Sequence, residues 1–153
     1  MKKQKGFSLI ELLIVVAIIL IIAAIAIPNL IRSKMAANEA SAVASLRSIN
    51  TAEVTYANTY QTFTSLANLG GAATACATGT SSTQACLIDA LLAGGTKSGY
   101  TFKVNGPTAA VYTSTGTPVT TGSTGTRIFC SDQSLVLYSD NATGTCTVGT
   151  NPL

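Results

Sequence analysis

Phe7 to Ile27 reads FSLIELLIVVAIILIIAAIAI, and the fold turns on this stretch. Its 21 residues hold one charge, Glu11, and one hydroxyl, Ser8. As an α-helix at ~1.5 Å per residue it spans about 31 Å, the thickness of a bilayer's hydrocarbon core. Lys2, Lys3 and Lys5 precede it. The positive-inside rule keeps these lysines in the cytoplasm and sends the chain beyond the apolar run across the membrane. They are also a third of the nine basic residues in the chain. Beyond position 6, six basic side chains face six acidic ones. That near-neutral remainder is a poor electrostatic match for nucleic acid, so no nucleic-acid partner is expected. The 153 residues are enough for one domain of ordinary size. Charged residues make up only 10%, far below the ~25% of soluble proteins, and this argues against an ordinary cytosolic protein. The chain has no His, which excludes His-based triads and His-containing zinc or haem sites.

A secretory signal, with Ala24-Ile25-Ala26 as its cleavage site, or a plain single-pass anchor would account for the apolar run. Neither accounts for Glu11, since an ionised carboxylate at such a position costs about 2.5–3.5 kcal/mol on insertion scales. From Lys2 to Leu30 the sequence KKQKGFSLIELLIVVAIILIIAAIAIPNL resembles a type IV prepilin. The resemblance rests on a short basic leader, the Gly6–Phe7 junction, Glu11 four residues after Phe7, an unbroken apolar run, and Pro28 near its end. It implies that a prepilin peptidase removes residues 1–6 by cutting the Gly6–Phe7 bond and then N-methylates Phe7. Gly6, lacking a Cβ, lets the backbone lie close to a membrane-embedded catalytic site. The new amine of Phe7 then pairs with Glu11 of a neighbouring subunit. Each charge alone is expensive in lipid, and loss of one partner of such a buried pair costs about 3–5 kcal/mol. The implied partners are other copies of the chain in a homopolymeric filament, the peptidase, and an inner-membrane assembly platform. The implied location is the inner membrane, N-terminus in, before assembly, and the cell surface after it.

Pro28 either ends the helix or kinks it. Residues 29–60, rich in Ala and free of Gly and Pro, continue it. Met35, Ala42, Leu46, Ile49, Tyr56 and Tyr60 recur at helical spacing and form an apolar stripe, with Asn38, Glu39, Arg47 and Asn58 largely off it. One helix is expected from about Phe7 to about Asn58. Residues 7–28 form its membrane and filament-core half, and residues 29–60 its amphipathic half. Arg32 and Lys34 mark the outer membrane boundary.

Residues 61–153 read as a globular head. A short helix is expected at Ala85–Ala93, ended by Gly94-Gly95. Strands are expected at Tyr100–Val104, Ala109–Thr113, Arg127–Ser131 and Leu135–Ser139, and Thr113–Thr126 (TSTGTPVTTGSTGT) as an exposed loop open to O-glycosylation. The fold class is therefore α+β, a long helix packed on a small antiparallel sheet. Cys76, Cys86, Cys130 and Cys146 all fall in the part expected outside the cytoplasm, so disulfides follow from the compartment. Three connectivities are open. Pairing neighbours closes the shortest loops, and a Cys130–Cys146 bridge resembles the disulfide-bounded loop of many pilins. A four-thiolate zinc site lacks any C-x-x-C spacing.

The sequence contains no P-loop, no GxSxG and no ligand cluster, so neither enzyme activity nor a cofactor nor a bound metal is expected. Asp132 and Asp140 are the residues from which a Ca²⁺ site would be built. The point bears on the rival reading, because type II secretion pseudopilins resemble pilins but carry a Ca²⁺-binding loop and usually lack disulfides. The expected function is a structural subunit of a type IV pilus. The alternatives are a pseudopilin and a secreted binding domain released near Ala26.

Overall fold

The computed structural model describes residues 7–71, 76–77, 79–142 and 145–153. Helix α1 runs Leu9–Tyr60, 52 residues, and continues through Pro28 although proline offers no N–H to the carbonyl one turn back. The chain divides into two compact units, the first ending at Lys34 and the second spanning Met35–Leu153.

In the first unit every large apolar side chain from Phe7 to Ile31 is exposed. The helix is apolar all round and buries none of it against its own chain. This part of α1 is the only helix among the described residues long and apolar enough to cross a membrane.

In the second unit α1 becomes one wall of a core. Ala42, Leu46, Ile49, Ala52 and Tyr56 are buried and pack with Leu69, Leu92, Tyr100, Phe102 and Phe129. Met35 and Tyr60, at the two ends of the expected stripe, are only half-buried. The covered face is wider and more polar than the stripe implies, for Glu39, Asn50 and Glu53 are also buried. Glu39 therefore does not lie off the packed face, and half-buried Asn38 donates to the Thr124 carbonyl at 2.9 Å. Helix α1 ends where Gln61 takes a left-handed conformation, φ 59°.

Among the described residues, two short helices come next, α2 (Leu66–Leu69) and α3 (Ala90–Ala93). The expected helix at Ala85–Ala93 thus begins five residues late. The N–H groups of Ala85 and Leu87 are claimed by the carbonyls of Asn68 and Leu69, at 2.8 and 2.7 Å, which holds residues 85–88 out of the helix. Asp89 then caps α3 by accepting the Leu92 N–H at 3.0 Å.

The sheet is an antiparallel meander in the order β1 (Thr96–Lys97), β2 (Tyr100–Asn105), β3 (Thr113–Pro118), β4 (Arg127–Asp132) and β5 (Leu137–Asn141). β1, unforeseen in the sequence, joins β2 through Ser98-Gly99, both at positive φ, the requirement of a tight type I′ hairpin. The largest correction is β3. Ala109 to Tyr112 are not strand, and the first half of the expected Thr/Ser/Gly loop is the central strand, paired to β2 on one side and β4 on the other. Alternation explains it: Ser114 and Gly116 face inward while Thr113, Thr115 and Thr117 face away. A Cβ on Gly116 would stand 3.1 Å from the Phe102 ring, so glycine lets that ring pack close against the strand. β5 starts two residues later than expected, after Leu135 takes a left-handed turn conformation at φ 65°.

The disulfides join neighbours, Cys76–Cys86 and Cys130–Cys146. After the second bridge the chain returns along β5. The Ser139 N–H donates to the Asn151 carbonyl at 3.1 Å, and the Leu153 N–H to the Leu137 carbonyl at 2.9 Å.

Candidate functional site

The residues singled out by the sequence meet at the start of α1. Ser8 precedes the first helical residue, and its carbonyl accepts the Leu12 N–H at 3.3 Å. Glu11 sits three positions on, in the first turn, and its Oε2 accepts the Ser8 N–H at 2.9 Å. That is one arm of a capping box, in which a first-turn acid folds back on an otherwise unpaired amide. The negative charge also lies where the helix dipole is positive. Sequence reasoning gives Ser8 no role, yet the Ser-x-x-Glu spacing of Ser8 and Glu11 is the available signal. A carboxylate offers about four lone-pair sites, so the capping bond leaves capacity for a further donor. Phe7 is 75% exposed beside it. Gly6 and the rest of the leader lie outside the described residues. After Glu11 no charge occurs before Arg32.

This stretch matches a family model described as the prokaryotic N-terminal methylation motif, over residues 1–27. Over 39 residues it is 59% identical to the type IV wide pilus major component PilA4 of Thermus thermophilus, a match covering 26% of this chain and 30% of that protein. The N-terminal segment is thus similar to that of type IV pilins. The type IV major pilin protein PilA of Myxococcus xanthus is 41% identical over 66 residues, 43% of this chain and 30% of the relative. The chain thus aligns with under a third of the length of either pilin. The α+β fold, a long helix with an antiparallel sheet on its second part, is pilin-like.

Beyond this segment, Glu39, Asp89 and Glu53 are the head carboxyls whose surroundings shift them. Glu39 is a hub: Oε1 accepts the Thr126 N–H and hydroxyl at 2.8 and 3.0 Å, and Oε2 accepts Arg127 Nε at 2.9 Å. Burial alone would raise its pKa, but these donors and the Arg127 charge outweigh it and hold the carboxyl below its ordinary value. Asp89 is also held low, first by its bond with Lys97. Glu53 goes the other way. It is fully buried, Oε2 accepts only the Thr64 N–H at 3.0 Å, and Oε1 has no partner among the described residues. Burial pushes its pKa up to about 7. Burial likewise raises the Tyr100 phenol to about 12.

Asp132 and Asp140 are not brought together. Asp132 pairs across the sheet with Thr113 and Asp140 with Ile128. The Asp132 carboxylate is taken up by the N–H and hydroxyl of Ser134, and Asp140 accepts the Asn141 N–H at 2.7 Å. Among the described residues no group of three or more Cys, Asp or Glu side chains converges.

Proposed function

We propose that the chain is a structural subunit of a type IV pilus. It is held in the inner membrane with its N-terminus in the cytoplasm, cut between Gly6 and Phe7, and N-methylated on Phe7. It is then added by an assembly platform to a homopolymeric filament on the cell surface. The observation that carries this reading is Glu11, the one charge in an exposed apolar helix inside a segment that matches the methylation motif. Its capping bond to Ser8 fixes the carboxylate at the helix end, next to where a neighbour's freed Phe7 amine has to arrive. Pro28 bends or loosens the helix near the membrane boundary, as an interior proline does by removing a backbone donor. Two disulfides in the head favour a pilus subunit over a secretion pseudopilin. Release near Ala26 is disfavoured because the methylation motif runs through that site.

Intact mass and N-terminal sequencing of the mature protein test the processing. A chain that begins at methylated Phe7 is expected. A chain that begins at Ile27 overturns the proposal in favour of secretion, and an unprocessed Met1 in filament-forming cells overturns the cleavage step.

A further inference from the structure

The buried carboxyl of Glu53 has no part in the pilus reading. It lies about two turns before the C-terminal end of α1 and reaches the segment after the helix through one bond, to the Thr64 N–H. That segment is tied further on. The Phe63 N–H donates to the Thr108 carbonyl at 3.0 Å, and the Phe63 ring packs against Tyr112 with centroids 4.6 Å apart. We propose that Glu53 is a proton-operated latch: as the neutral acid it fastens residues 61–65, and through Phe63 the loop 106–112, to α1, and as the carboxylate it loosens them.

Three observations support the latch. First, the side chain is fully buried and Oε1 has no partner among the described residues, so ionisation would place a charge with one donor in an apolar setting. Second, no cation among the described residues compensates it. The ion pairs among those residues are Lys97–Asp89 and Arg127–Glu39. The groups facing Glu53 are the Thr64 amide from the 61–65 segment and the Tyr112 phenol from the residues before β3. That phenol already donates to Asn50 Oδ1 at 3.1 Å and also feels Asp132 of β4. Neither the phenol nor the amide brings a positive charge: burial favours the protonated acid and outweighs the Thr64 N–H, which on its own favours the carboxylate. Third, burial displaces the Glu53 pKa up to about 7, so the two protonation states exchange near neutral pH.

The test uses the full chain in detergent micelles, with glutamate labelled at the carboxyl carbon. Of the three Glu residues in the chain, the Glu53 signal is expected to titrate near neutrality. Hydrogen exchange at the Thr64 amide should speed up between pH 5 and pH 8 by on the order of tenfold beyond intrinsic base catalysis. Glu53→Gln, which keeps an acceptor for Thr64 but not the charge, should remove that excess. The proposal is overturned if Glu53 titrates in the ordinary carboxylate range, or if Thr64 exchange tracks intrinsic chemistry alone. Should the variant not fold, the wild-type titration and exchange decide the matter.

Discussion

Up to Lys34 the chain keeps its grease outside; from Met35 onward it keeps carboxyls inside. In the first unit every large apolar side chain from Phe7 to Ile31 is exposed. In the second, Glu39, Asn50 and Glu53 are buried beneath a sheet and are satisfied there, fully or in part. One helix serves both regimes because helix formation satisfies the backbone wherever the segment lies, in lipid or against a sheet. The change at the boundary is in where the side chains find partners. The first unit must find them in other molecules, whereas the second finds them in its own sequence, up to 88 residues away in the case of Arg127 and Glu39.

Substitutions in each region test that division. Glu11→Ala should abolish filaments while leaving membrane insertion and the head's unfolding midpoint unchanged, because in the proposed assembly it strips the Phe7 amine of its partner, a loss of about 3–5 kcal/mol for a buried pair. Electron microscopy of sheared cells and membrane extraction report the two outcomes. Wild-type filaments would break the comparison at its first term. Phe129→Ala, in the centre of the head core, should lower head stability by about 3–5 kcal/mol in denaturant unfolding and leave insertion intact. Replacing Cys130 and Cys146 together by Ser should cost about 2–4 kcal/mol and raise hydrogen exchange at Ser139 and Leu153, whose amides bond within the bridged tail. The smallest effect, about 1–3 kcal/mol at neutral pH, is expected for Glu39→Gln. Its pH signature is opposite to that of Glu53. The depressed pKa of Glu39 gives stability that is present above the ordinary carboxylate value and lost as pH falls through the folded one. The raised pKa of Glu53 gives stability that is full below pH 4.5 and lost as pH rises toward about 7. Unfolding free energy measured from pH 3 to pH 8 for each Gln variant separates the two slopes.

The sequence discloses the parts of the molecule whose partners are near in sequence or are solvent. The apolar run, the lone acid in it, the continuation of α1 past Pro28, and strands β2 and β4 all carry local patterns. β3 does not. TSTGTP holds three strand-forming Thr but no large apolar residue, and its Gly and Pro read as loop; pairing on both sides, to residues 100–105 and 129–132, is what makes it a strand. Ala85–Ile88 has helical composition but is recruited by carbonyls at 68–70. Glu53 and Glu39 look like surface acids in the sequence because their donors, Thr64, Thr126 and Arg127, are distant in sequence or on another element. The Ser8–Glu11 cap is legible from its Ser-x-x-Glu spacing, but it hides behind the intersubunit pairing proposed for Glu11.

The path of the chain after Cys146 bears on how such molecules crowd together. Sheets glue to one another along unpaired outer strands. Here β1 covers only Tyr100 and Thr101 of β2 on one border of the sheet, while the other border is shielded where residues 151 and 153 bond to β5. The β5 border therefore offers a neighbouring head little backbone to zip onto. Lateral clumping through that border is discouraged.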